Sequence, residues 1–371
     1  MDVMNYHQFA AIRGIQAERE YYVVMCSMRL IPKLFLFDEK ELPAQLRAQR
    51  TLNRARIPDI ANYLLDYPDN YTFSAITASV DADVDFQPEG QKGHQRNIGT
   101  IHIPMNAKFI INDGQHRRAA IERAIEENPE LGDESIAVVL FIDAGLERSQ
   151  QMFADLNKHA VRPTKSLSVL YDHRDPRAVL AVDLAHEVPV FSGRTETEKT
   201  TISNRSKNLF TLHAIYQATN GLLNEFDDDR VEDDYRTLAL EYWTCLGEII
   251  PEWQLIIRKQ ITASKLRKGY VHSHGVVLQA LGEAGSNLFQ LYPDSWQERL
   301  VRLEDVDWRR DNTNLWEGRA MQHGKMSKTR NNVGLTVNII KQILELPLTA
   351  RELELESMLQ EEDKHEPART S

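Results

Sequence analysis

The stretch FIINDGQHRRAAIERAIEE, Phe109 to Glu127, decides how the chain is read. Phe109 to Ile111 is an apolar run of strand character, Asp113-Gly114 forms a corner, and from Gln115 onward Ala120, Ile121, Ala124 and Ile125 recur at helical spacing. A buried strand therefore passes directly into a helix. Asp113 is placed as the N-cap of that helix, and Gly114 supplies the tight turn. The first N–H groups of a helix have no backbone partner, and their partial positive charge makes the corner a seat for phosphate. Arg117 and Arg118 add charge, although cations in a first turn oppose the macrodipole by about 0.3–1 kcal/mol each and so call for a compensating anion. Two readings stay open. In one, Asp113, Gly114, Gln115, His116, Arg117 and Arg118 hold a phosphate. Either Mg²⁺ then bridges it to the Asp113 carboxylate or the cap neutralises that charge, and Asp113 and His116 are the catalytic candidates. In the other, the two arginines face solvent or pair with neighbours such as Glu122, and Asp113 and Gly114 only cap and turn.

Working outward, Tyr21 to Phe37 is rich in β-branched and aromatic residues with Pro32 as a breaker, and predicts two strands or a strand and an extended edge. Residues 39–70 predict two short helices separated at Ile57-Pro58. YTFSAITASVDADVDF reads as a strand, TIHIPMNAKFIIND as a hairpin turning near Asn106, and SIAVVLFID as a further strand. After Ala144 the strand signal fades and apolar residues recur at three and four residue spacing, as in KSLSVLYDHRDPRAVLAVDLAHEV and YRTLALEYWTCLGEIIPEWQLIIRK. GRTETEKTTISNRSKN reads as a loop. NEFDDDRVEDD lacks the ligand alternation and the glycine of a calcium loop and reads as an acidic linker. The predicted fold class is α+β: an α+β domain over 1–163, a mostly helical domain over 164–346, and a charged tail over 347–371 that frays.

At 371 residues the chain suits two domains of ordinary size, and 42% hydrophobic with 27% charged residues is globular composition. No apolar run approaches a membrane span, and the first residues lack a secretory pattern, so residence in the cytoplasm is expected. Cys26 and Cys245 make neither a disulfide framework nor a zinc site and are read as buried apolar residues. The net charge of −11 excludes a uniformly basic nucleic-acid coat; any DNA contact must be a local patch.

Three patches are candidates. Arg47, Arg50 and Arg54, with Arg56 just beyond, share one face of a helix and track phosphates, or else form a solvated face beside Glu39 and Glu41. RKQITASKLRKGYVHSH offers Lys265, Arg267 and Lys268, and His272 and His274 belong to this basic surface rather than to a metal site. Around Trp308 and Trp316, read as core anchors, lie Arg309, Arg310, Arg319, Lys325, Lys328 and Arg330, cations available for phosphate. Asn157 and Lys158 in FADLNKHAVRP either complete the anion site at the Asp113 corner or cap a helix C-terminus.

The corner NDGQHRRAAI resembles the signature of DGQHR-domain proteins. With FADLNKHAVRPTKSLSVLYDHRDP and WRRDNTNLWEGRAM, most of the chain resembles the DndB family, encoded beside bacterial DNA phosphorothioation genes. That resemblance implies an N-terminal part similar to the ParB/sulfiredoxin fold, in which a Gly-(x)-x-(His/Arg)-Arg turn binds nucleotide phosphates. By position this selects Gly114, Gln115, His116, Arg117 and Arg118. Gln115 stands where sulfiredoxins carry their catalytic Cys, so that activity is not expected, and a ParB-like helix-turn-helix is not evident. The resemblance further implies double-stranded promoter DNA and other DNA sulfur-modification proteins as partners, a homo-oligomer as a candidate assembly, and repression of the modification operon. The alternatives are an accessory scaffold or a nucleotide hydrolase, with a nucleotide and Mg²⁺ as candidate ligands, Asp113 holding the metal and Arg117 stabilising developing charge. GxxxxGK[ST] does not occur, so ordinary P-loop chemistry is excluded.

Overall fold

The computed structural model describes residues 5–35, 54–144, 148–158, 163–224 and 233–365. Two compact units divide the chain, Met1–Val161 and Arg162–Ser371. The first is α+β and the second almost wholly helical, as the change of texture after Ala144 predicts.

The first unit is built on strands β1 (Tyr6–Gln16), β2 (Arg19–Ser27), β3 (Ile76–Asp81), β4 (Asp85–Pro88), β5 (Ile98–Pro104), β6 (Lys108–Asp113) and β7 (Ser135–Ile142). They form one sheet in the order β4-β5-β1-β2-β7-β3-β6. Every pairing is antiparallel except β3 with β7. Alternation sets the faces: Tyr22, Val24 and Cys26 of β2 are buried, whereas Met25 between them is exposed. The expected hairpin near Asn106 does not form. β5 pairs with β1 and β6 with β3, so these consecutive strands lie near opposite ends of the strand order. Only Met105, Asn106 and Ala107 join them, and a link that short spans roughly 3.6 Å per residue. The sheet must therefore curl until its two ends approach, and His7 of β1 meets Phe109 of β6 edge to face at 6.1 Å.

The curled sheet is filled by helices α1 (Ile31–Leu34), α2 (Ile57–Asp66) and α3 (Gln115–Glu127), with α4 (Ser149–Lys158) beside β6. α3 buries Ala120, Ile121 and Ala124, and α2 buries Ala61 and Leu64. Pro32 and Pro58 both stand in a first helical turn, where a missing N–H costs nothing. Pro32 thus starts a short helix instead of breaking a strand. β1, which the sequence reading did not identify, is the longest strand of the sheet.

The second unit packs α5 (Lys165–Tyr171), α6 (Pro176–Glu187), α7 (Leu212–Leu222), α8 (Asp233–Ile249), α9 (Pro251–Ile257), α10 (Ala263–Gly269), α11 (Gly275–Leu291), α12 (Trp296–Leu300), α13 (Thr313–Trp316), α14 (Arg330–Ile343) and α15 (Ala350–His365). α11 is central and lies against both α7 and α14. Gly282 lets α7 approach backbone to backbone, since a Cβ there would stand 2.1 Å from the Ala218 carbonyl oxygen. Trp308 and Trp316 stack at 5.2 Å, 1% and 0% exposed, which makes them the core anchors that were expected. The region read as a fraying tail is instead helical over Ala350–His365. Arg319 grips Glu356 with two bonds of 2.7 Å, and Lys341 holds Glu352 at 2.7 Å. Cys26 is buried, which pushes its thiol up to about 11; Cys245 is half-buried rather than buried. No helix among the described residues is long and apolar enough to cross a membrane.

Candidate functional site

The Asp113 corner lies where β6 ends and α3 begins. The N-cap is Gly114, not Asp113: its φ of +109° is a left-handed conformation, and no side chain caps the helix start. A Cβ on Gly114 would come within 3.1 Å of both Ile76 and the Arg117 guanidinium. Gly114→Ala is therefore expected to lose about 1–2 kcal/mol of stability from backbone strain alone. Hydrogen exchange of β6 and α3 amides reads that loss, and unaltered protection there would show that the corner relaxes freely.

Asp113 has another task. Its carboxylate accepts from Arg117 Nη2 at 2.6 Å, while Arg117 Nη1 donates to Ser74 Oγ and Nε is buried without a partner. Arg118 is 7% exposed and turned inward. Its Nε donates to the Phe35 carbonyl at 2.9 Å and its Nη2 to the Pro32 carbonyl at 3.0 Å, and both terminal nitrogens reach Glu122. The anions that compensate two cations at a helix start are thus supplied by the chain itself. Arg118 ties α3 to the segment Pro32–Phe35, and its guanidinium faces away from any external phosphate. The Glu122 partnership is the second of the two sequence readings.

His116 lies half-buried beside Arg56. Burial first, then the positive charge of Arg56, lowers its pKa against the opposing pull of Asp113, so its ring is neutral at pH 7. A neutral imidazole there serves as a hydrogen-bonding group or a base. Behind the corner runs a buried polar chain that the sequence reading missed. Asn112 Nδ2 donates to Ser79 Oγ at 2.7 Å and Ser149 Oγ to Asn112 Oδ1 at 2.9 Å, joining β3, β6 and α4. The residue types alone carry no signal for it, because Ser79 and Ser149 are far from Asn112 in sequence. Among the described residues no three His, Cys, Asp or Glu side chains gather as a metal site.

The basic candidates divide sharply. Arg54 and Arg56 are exposed at the start of α2, whereas Arg47 and Arg50 lie outside the described residues. The side chains of Asn157 and Lys158 lie outside them too. Lys265 and Lys268 are exposed on α10. Arg267 between them turns inward and donates to the carbonyls of Ser203, Ser206 and Asn208, closing the loop before the short strand Phe210–Thr211. Arg309 is exposed but pairs with Asp307 at 2.8 Å and Asp311 at 3.7 Å, and Arg310 donates to the Gly324 carbonyl at 3.0 Å. His272 is 0% exposed, so it is no basic surface. Its Nδ1 accepts from Trp253 Nε1 at 3.0 Å, which leaves Nε2–H to donate to Glu252 at 3.2 Å.

The family model DndB, described as DNA-sulfur modification-associated, matches residues 9–347. No curated protein and no solved structure matches.

Proposed function

The chain belongs to the DndB family of DNA-sulfur modification-associated proteins, and on that footing we propose that it is a DNA-binding repressor of a bacterial phosphorothioate modification operon. The family match, which runs through both units, is the observation that carries this reading. Charge supports it in a specific place. With a net charge of −11 a duplex needs a local cationic surface, and Arg54 and Arg56 stand exposed at the start of α2 beside His116. A second cationic surface is offered by Lys265 and Lys268. Arg117 positions the corner through Asp113 and Ser74, while the neighbouring exposed arginines meet the phosphates. The hydrolase alternative draws less from the geometry, because its metal-holding carboxylate, Asp113, is taken by Arg117.

Duplex DNA carrying the promoter of the modification operon, titrated over a series of salt concentrations, tests the reading. Joint replacement of Arg54 and Arg56 by Ala is expected to flatten the slope of log affinity against log salt by about two, close to one per phosphate released. An unchanged slope removes this surface from the interface, and absence of salt-dependent binding by the parent protein removes the reading itself. Phosphate release from nucleotide in the same preparations is expected to stay at background.

A further inference from the structure

Two cations of the third sequence patch, Lys328 and Arg330, line a large cavity of the second unit. It is an open cleft of about 1450 Å³ within the helical unit, lined from α5, α7, α11, α14 and α15. Part of the lining is cationic. Lys165 opens α5, His213 lies in the first turn of α7, Lys328 just precedes α14, and Arg330 is its first residue. Among the described residues no carboxylate pairs with Lys165, Lys328 or Arg330. Lys328 Nζ donates to Gln217 Oε1 at 2.6 Å and sits 3.5 Å from where a Cβ on Gly275 would stand, at the start of α11. The cleft walls desolvate this ammonium and Lys165 repels it, which brings it down to about 8 against the pull of Glu283. Burial and the same two lysines lower His213, whose Nδ1 is buried without a partner. Cations that act on one another across a shared cleft form a site that an anion would relieve.

The rest of the lining differs. Val333, Val337, Leu355 and Met358 are apolar, and of the acidic groups Glu283 accepts from Gln279 at 2.8 Å and Glu352 holds Lys341. We propose that this cleft binds a small phosphorylated ligand, with the phosphate held by Lys165, Lys328 and Arg330 and a less polar body laid against Val333, Val337, Leu355 and Met358. A duplex fits the cleft poorly, because its evenly charged backbone would also meet Glu352 and Glu354 on the lining. A volume of 1450 Å³ exceeds the roughly 300–1,000 Å³ of ordinary small-molecule sites, so a ligand would fill only part of the cleft. The assignment goes beyond the repressor reading and stands without it.

Calorimetric titration of the full chain with inorganic pyrophosphate, and separately with adenosine diphosphate, tests the proposal. One site is expected, with adenosine diphosphate bound more tightly because it also covers the apolar residues. Lys165→Gln and Lys328→Gln should each weaken pyrophosphate by about tenfold or more, the scale of one lost charge-assisted hydrogen bond. Lys328→Arg should restore most of the affinity, and Arg56→Ala at the corner should leave it unchanged. Lys165→Gln and Arg56→Ala should keep the parent melting temperature, since those side chains are exposed, and Lys328→Arg, which can keep the bond to Gln217, controls for the fold in Lys328→Gln. No binding by the parent, or parent-like affinity in both Gln variants, overturns the assignment. So does displacement of pyrophosphate by duplex DNA at stoichiometric ratio, which would make the cleft part of a DNA surface. Equal affinity for the two probes removes the apolar residues from the site. Loss of duplex binding by the Arg54/Arg56 variant with pyrophosphate binding intact would confirm that the two sites are separate.

Discussion

Arg118→Ala is expected to lower the unfolding free energy of the first unit by about 2–3 kcal/mol, chiefly because two enclosed carbonyls lose their charged donor while Glu122, 43% exposed, is rehydrated. The guanidinium is almost wholly enclosed, and it joins the Phe35 and Pro32 carbonyls to Glu122 in one planar fork. Truncation leaves two carbonyls and a carboxylate without their donor and opens a cavity under α3. Arg118→Lys should recover little, because a single ammonium cannot reach both carbonyls and Glu122 at once. Arg117→Ala should cost only about 0.5–1 kcal/mol, as its Asp113 partner is half exposed and the pair is screened. All five tryptophans belong to the second unit, the first of them being Trp243, so fluorescence does not report this loss. Amide exchange in β2, β7 and α3 does. Equal protection in Arg118→Ala and the parent would sink the structural assignment.

Acid should weaken the second unit well before carboxylates titrate. His274 Nε2–H donates to the Arg267 carbonyl at 2.8 Å, and burial, reinforced by Arg310, His272 and Arg267, holds its pKa down to about 4. An unfolded histidine takes its proton near pH 6.5. Between these values the unfolded chain binds more protons than the folded one, so this contribution is intact above pH 6.5 and lost as pH falls toward 4. The slope is about 1.4 kcal/mol per pH unit, or roughly 3 kcal/mol in all. His272 and His213 are also lowered by burial and act in the same direction. Tryptophan fluorescence in urea series at pH 7, 6 and 5 reads the effect directly, since Trp253 donates to His272. His274→Gln keeps a donor for the carbonyl and should give a shallower decline. A parent protein equally stable at pH 7 and pH 5 would contradict the buried, neutral state of His274.

The strand-to-helix step at Phe109–Glu127 was legible because a buried apolar run, a corner glycine and helical spacing stand in one segment. The inward turn of Arg118 was legible too, though it was not drawn: the residue stands three places before Ile121 and seven before Ile125, on the apolar stripe of α3. β1 was missed for a physical reason. Its turn to β2 is made by Ala17 and Glu18, both at positive φ, where Asn-Gly or Asp-Gly would have announced a hairpin. The supposed hairpin at Asn106 failed in the opposite way. Short separation and alternating polarity point to local pairing, but which partner a strand takes depends on the whole sheet. Lys328 and Arg330 stood out as cations, but their company with Lys165 and His213 did not, because the starts of α5, α7 and α14 are distant in sequence.

The place of β7 governs how the first unit assembles. It lies between β2 and β3, and β1 takes its second neighbour from β5, so Tyr22 finds Leu140 and Ile12 finds Ile98 only after long loops close. During synthesis the β1–β2 ribbon must wait with an open edge until Ile142 has left the ribosome. The helical unit likewise closes only late, because α11 lies against both α7 and α14.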